Sequence, residues 1–177
     1  MSIDIDIFPT ISRNFCWGEL KKKLLELLAL ENIQNLDNFH LIKLVNSEKV
    51  AESEIIFMVD GQDYINYYLS FGIHNKIRIS VSKNNSNYID EFEYLDDYGR
   101  NLDTATIKAL SQDWKSVGYV YGIANIASRN NLESRLPIIL ATAMAYLCQG
   151  CIIVTSSDFT FDIGVYTPEE FQQAKII

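Results

Sequence analysis

Residues 2–8, SIDIDIF, alternate strictly between apolar and acidic or polar side chains. Ile3, Ile5 and Ile7 fall on one side of an extended chain, and Asp4 and Asp6 on the other, as in a half-buried strand. Pro9 ends it. The apolar spacing then changes from two to between three and four. In WGELKKKLLELLALE, Trp17, Leu20, Leu24, Leu27 and Leu28 form one helical stripe, with Lys21, Lys22 and Lys23 largely off it. A strand that must cover one face, followed directly by a helix with one apolar stripe, restricts the chain to layers of helix on sheet.

The middle of the chain extends the sheet. FHLIKLVN (39–46) and SEIIFMVD (53–60) are strand candidates. DGQD (60–63) is a turn, because Asp-Gly supports positive φ. YINYYLSF (64–71) follows, then KIRISVSK (76–83), where Ile77, Ile79 and Val81 alternate with Arg78 and Ser80. NNSN (84–87) is a loop, and YIDEFEYL (88–95) closes an antiparallel meander.

The last third changes style. Asp103 can cap a helix running to about Trp114. VGYVYGIANI (117–126) is a strand whose interior glycine suggests a bulge. Ser134 can cap a helix over 134–149 with Pro137 in its first turn, where a missing N–H costs nothing. That helix is apolar nearly all round, so burial on more than one face is expected. Gly150 is the expected C′ residue, and CIIVTSS (151–157) a short buried strand. Strand 117–126, helix 134–149 and strand 151–157 make a β-α-β unit, whose strands should run parallel. In YTPEEF, Thr167 stands at N-cap, Pro168 at N1 and Glu170 at N3, a capping box. Tyr166 and Phe171 are placed to staple across it.

With 177 residues, 48 % of them apolar, the chain suits one domain over 1–177. The change of style near residue 100 allows a subdomain boundary there. At this length roughly two thirds of the unfolded surface can be buried, so no metal or disulfide staple is required. The net charge of −8, from 23 acids against 15 bases, argues against a nucleic-acid partner and permits a basic protein partner. The N-terminal segment lacks the basic and apolar regions of a signal peptide, and no apolar run is long enough for a membrane span. A cytoplasmic location is expected, where the three cysteines remain thiols.

Cys148-Gln149-Gly150-Cys151 has the spacing of a redox dithiol or of half a zinc site. A redox pair needs its first thiol at a helix N-terminus, where the dipole lowers the thiol pKa. Here the pair straddles a helix C-terminus, and Cys16, His40 and His74 offer no second paired spacing for zinc. Cys148 is therefore expected as a core residue and Cys151 as the opening of a buried strand. His40 and His74 are the only histidines and stand in no catalytic motif. No cofactor or metal is expected.

The acidic run carries the strongest functional signal. Asp90, Glu91, Glu93, Asp96 and Asp97 crowd YIDEFEYLDDYGR, and Asp60 and Asp63 stand in another turn. A solvated edge strand protected by charge accounts for such a run. A metal site of oxygen ligands, a paired-carboxylate hydrolase and a docking surface are the functional alternatives. Neighbours on a strand point to opposite faces, so Asp90 and Glu91 do not converge on one ion. Docking fits best of the three, because Tyr88, Phe92, Tyr94 and Tyr98 are interleaved with the acids, as at interface hot spots. Tyr68 extends the same surface if it faces outward with Asn66 and Ser70.

The C-terminal pattern resembles small bacterial immunity proteins of polymorphic-toxin and contact-dependent systems. It comprises the helix ending at Trp114, a strand, the apolar helix IILATAMAYLCQG, the strand CIIVTSS and GVYTPEEF. The opening DIDIFPTISRNFCWGELKKKLLELL is similar to the same proteins. The resemblance covers about half the chain as a pattern of elements and transfers no residue roles. It implies a protein that binds a cognate toxin in the cytoplasm and blocks its active site, through an acidic interface where the toxin is a basic nuclease.

These readings give one α+β domain. A mostly antiparallel mixed sheet carries helices 15–30 and 134–149 on one face and ends in the β-α-β unit. The expected function is non-enzymatic binding of a toxin through Asp60, Asp63, Tyr68, Asp90, Glu91, Glu93, Tyr94, Asp96, Asp97 and Tyr98. A small carboxylate-dependent enzyme and an oligomeric scaffolding subunit are the alternatives.

Overall fold

The computed structural model describes residues 2–33, 38–56, 64–71, 75–83, 112–113, 116–126, 131–154 and 164–173. The strands are β1 (Ser2–Phe8), β2 (Phe15–Cys16), β3 (His40–Lys43), β4 (Ile55–Ile56), β5 (Tyr64–Phe71), β6 (Asn75–Lys83), β7 (Tyr119–Ile126), β8 (Cys151–Val154) and β9 (Gly164–Tyr166). The helices are α1 (Trp17–Leu30), α2 (Asn131–Cys148) and α3 (Pro168–Gln173). The main sheet has the order β3-β5-β6-β7-β1-β8-β9, and each neighbouring pair is antiparallel. β7 and β8 consequently run parallel, but β1 lies between them, so the β-α-β unit is split by the first strand of the chain. The architecture is the expected α+β domain with a mostly antiparallel main sheet, beside which β2 and β4 form a separate two-stranded ribbon.

Alternation decides which face each strand buries. Ile5 and Ile7 on β1, Tyr67, Leu69 and Phe71 on β5, Ile77, Ile79 and Val81 on β6, and Tyr121 and Ile123 on β7 all enter one core. The α1 stripe of Trp17, Leu20, Leu24, Leu27 and Leu28 enters the same core. α2 is buried from Leu136 to Ala145, as its all-round apolar character requires. Burial of each large aliphatic side chain here contributes about 1.5–3 kcal/mol.

Helix ends are fixed by local bonds. The Cys16 N–H donates to Glu19 Oε2 at 2.9 Å at the start of α1. At its end Asn32 takes φ 56°, and Ile33 N–H bonds Leu28 O, closing a Schellman turn. α3 has the expected reciprocal cap. Thr167 N–H donates to Glu170 Oε2 at 2.9 Å, and Glu170 N–H to Thr167 Oγ1 at 3.2 Å. The Tyr166 and Phe171 rings meet at 5.5 Å, forming the staple.

Five expectations are corrected. The strand placed at 39–46 stops at Lys43. Ser47 takes φ 56° and its N–H bonds Lys43 O, while Asn46 Oδ1 accepts Glu48 N–H, so residues 44–47 turn the chain. Within 53–60 only Ile55–Ile56 is a described strand, and it pairs with Phe15–Cys16 in a separate ribbon rather than with the meander. α2 starts at Asn131, before Ser134, which leaves Pro137 inside the helix. Gln149, not Gly150, takes the left-handed C′ conformation, with φ 50°. Gly150 is the following residue, its N–H bonded to Ala145 O, and a Cβ there would lie 2.6 Å from Phe8 O. Finally, Gly122 is not a bulge, because β7 stays in register with β1 and β6 on either side of it. Its Cβ would meet Ser80 Oγ at 2.6 Å, so close cross-strand approach explains the glycine.

The turn at 60–63, the loop at 84–87, the strand at 88–95 and most of the helix at 103–114 lie outside the described residues, as does the end of the strand at 151–157.

Candidate docking face

The described helices α1 and α2 pack on one side of the sheet. On the other side, alternation leaves His40 and Ile42 of β3, Tyr64, Asn66, Tyr68 and Ser70 of β5, and Lys76, Arg78, Ser80 and Ser82 of β6. Register assembles these side chains into rows. Arg78 stands opposite Tyr68, and Tyr68 opposite Ile42. Lys76 stands opposite Ser70, and Ser70 opposite His40. Ser80 stands opposite Asn66, whose carbonyl accepts the Leu44 N–H at 3.1 Å. Neighbouring strands are ~4.8 Å apart and same-face residues roughly 6.8 Å apart along a strand, so the rows form one continuous patch.

The patch has two ends of different chemistry. At one end Lys76, Arg78 and His40 are exposed around half-buried Tyr68, and Lys76 Nζ lies 5.7 Å from the Tyr68 ring centroid. This is within cation–π range. At the other end, the 44–47 turn and the start of β5 leave Leu44 41 %, Val45 84 % and Tyr64 64 % exposed. Three apolar or aromatic side chains left in water at one corner are more than the ordinary scatter of single exposed hydrophobics. Toward β7 the floor is Gly122 and Ala124, so no bulky side chain stands over Ser80 and Arg78 from that strand.

Of the ten docking residues expected from the sequence, Tyr68 is described. It faces outward with Asn66 and Ser70, the condition on which it extends a docking surface. Asp60, Asp63, Asp90, Glu91, Glu93, Tyr94, Asp96, Asp97 and Tyr98 lie outside the described residues. The structure adds Lys76, Arg78, Tyr64, Leu44 and Val45. The signal for Arg78 was present, since it alternates with Ile77 and Ile79. The turn was hidden, because apolar Leu44 and Val45 continue the strand-like run of residues 39–43.

The cysteine pair lies where an inert role requires. Cys148 is fully buried in the core, and burial pushes its thiol up to about 12. Cys151 is buried in β8, and none of the three cysteines is in a disulfide. A thiol protonated at neutral pH is a poor nucleophile and a poor metal ligand. His40 is exposed on the candidate face, and His74 lies outside the described residues. Among the described residues, no three His, Cys, Asp or Glu side chains are grouped to hold a metal ion, and no helix is long and apolar enough to cross a membrane.

No family model, curated protein or solved structure matches the chain.

Proposed function

We propose that the protein is a non-enzymatic binding protein, most concretely an immunity protein that neutralises a cognate bacterial toxin by occluding its active site. The observation that carries this reading is the face of β3, β5 and β6 that lies opposite the described helices. It presents tyrosine, arginine and exposed aliphatic side chains on a rigid floor of paired strands. Tyrosine and arginine dominate binding energy at protein interfaces, and a floor fixed by strand pairing loses little entropy when a partner docks. In the sequence the acidic run begins at Asp90, seven positions after the end of β6 at Lys83. In this reading the run contributes to the same recognition.

Co-expression with the product of the adjacent reading frame tests the proposal. The expected result is a stoichiometric complex and rescue of growth from a toxic partner. Reversing Asp90, Glu93 and Asp97 to lysine should weaken that complex while leaving the circular dichroism unchanged. Recovery of the protein alone, with no rescue, would sink the reading.

A further inference from the structure

Most of the described basic side chains on the helix side and in the loops are neutralised. Arg13 pairs with Glu19, Lys21 with Glu52, Lys23 with Glu26, Lys43 with Glu54 and Arg135 with Glu31. Among the described residues Lys22 and Lys49 stand singly without an ion pair, whereas Lys76 and Arg78 stand together. Both are exposed, and neither has a carboxylate partner among the described residues. They are adjacent same-face positions of β6, in a chain where acids outnumber bases by 23 to 15. Folding alone gives no reason to leave two neighbouring cations unpaired in such a chain. The row beside them supplies an aromatic ring at Tyr68 and a hydroxyl at Ser70.

We infer that this end of the face receives a carboxylate-bearing extended segment of a partner protein, with acidic side chains at alternate positions held by Lys76 and Arg78 over Tyr68. The inference rests on the reading that this face docks a protein, and it names the chemistry of the segment docked. Spacing favours this occupant. Alternate residues of an extended segment project to one side at roughly 6.8 Å, the same repeat that separates Lys76 from Arg78 along β6. Arginine adds a bidentate grip on a carboxylate, and lysine a point charge. A nucleic-acid strand fits less well. Beyond two cations its phosphates would run onto the body of a protein with net charge −8.

The test uses the full chain and a fluorescein-labelled peptide with glutamates at alternate positions, read by anisotropy and by amide chemical-shift mapping. The lysine version of the peptide and a thymidine dodecanucleotide are the comparison probes. The expected result is saturable, salt-sensitive binding of the glutamate peptide, with shifts centred on Tyr68, Lys76 and Arg78. Arg78→Glu and Lys76→Glu should each weaken it about tenfold or more, with unchanged circular dichroism. Absence of binding, binding insensitive to both reversals, or tighter binding of the oligonucleotide at the same residues would each overturn the inference. The immunity reading fails separately. Peptide binding at these residues without growth rescue supports the acidic-segment inference and counts against a toxin partner. Rescue by a partner whose complex neither reversal weakens supports immunity and overturns the inference.

Discussion

On the helix-covered side of the sheet, β6 contributes Ile77, Ile79 and Val81, each with no exposure to solvent. On the opposite side the same strand carries Lys76, Arg78, Ser80 and Ser82, which range from exposed to half-buried. The two sets interleave residue by residue, so backbone, register and strand neighbours are shared. Only the surroundings of the side chains differ. The buried set is aliphatic because water is excluded there. The other set mixes cations, hydroxyls and an aromatic row, a composition that packing does not demand. What the covered face contributes is stability through buried apolar area.

The sharpest way to break this contrast is Ile79→Ala. Its side chain is fully buried between β5 and β7, so deletion removes transfer free energy and leaves a cavity. A loss of about 2–5 kcal/mol is expected, read as a lower urea midpoint at unchanged slope. A loss below ~1 kcal/mol would mean that the core does not lie on this face.

A second prediction concerns how the helix layer is fastened. Arg135 on α2 donates to both carboxylate oxygens of Glu31 at 2.7 and 2.8 Å, and to the Gln172 carbonyl at 2.5 Å. One guanidinium thus joins the end of α1, the body of α2 and the end of α3. The pair is only 19 % and 18 % exposed, so Arg135→Ala leaves a carboxylate largely desolvated without its cation. A cost of about 1–3 kcal/mol is expected. Hydrogen exchange should accelerate more in α3 than in β5 and β6, because the lost tie frees first the helix it fastens. Equal acceleration everywhere would show that Arg135 does not tie the helices locally.

The covered face was legible in the sequence because alternation and helical spacing are direct consequences of burying one side. SIDIDIF, KIRISVSK and the Leu24–Leu28 stripe each expose their core residues by period alone. The capping box at Thr167 was legible because it is purely local chemistry. What could not be read was non-local. Nothing in SIDIDIF says that β1 will insert between β7 and β8, and nothing in SEIIFMVD says that Ile55–Ile56 will leave the meander to pair with Phe15–Cys16. The 44–47 turn was hidden by its own apolar residues. The open face suffered most, because its rows exist only once register sets Arg78 opposite Tyr68. The acidic run, by contrast, was visible as composition, and Tyr68 alone of the expected docking residues lies within the described structure.

Thr142 sharpens the contrast from inside the covered layer. It sits on α2 with no exposure, and among the described residues its Oγ1 has no hydrogen-bond partner. A buried hydroxyl without a partner forfeits its hydration, so Thr142→Val, which keeps the shape and removes the polar atom, should stabilise the fold by about 1 kcal/mol. The test is a higher thermal midpoint. Destabilisation instead would mean that the hydroxyl has an acceptor in solution.

The smallest expected effect on stability belongs to the open face. Lys76 and Arg78 carry no ion pair among the described residues, and their removal leaves no buried charge or cavity behind. The Lys76→Ala, Arg78→Ala double variant should therefore stay within about 0.5 kcal/mol of the parent protein in the same urea titration that registers Ile79→Ala. Arg78 and Ile79 are consecutive residues, so the pair of measurements holds strand, register and sequence context constant while changing only the face. A small effect for the double variant, beside a large one for Ile79→Ala, would show that the cations are dispensable for folding, and any loss of binding they cause would then report recognition directly. A cost above ~1 kcal/mol would show instead that the two stems pack on Tyr68 as part of the fold, since long basic side chains can cover apolar surface with their methylenes. The open face would then be a second structural layer, and its cations would no longer mark a docking site.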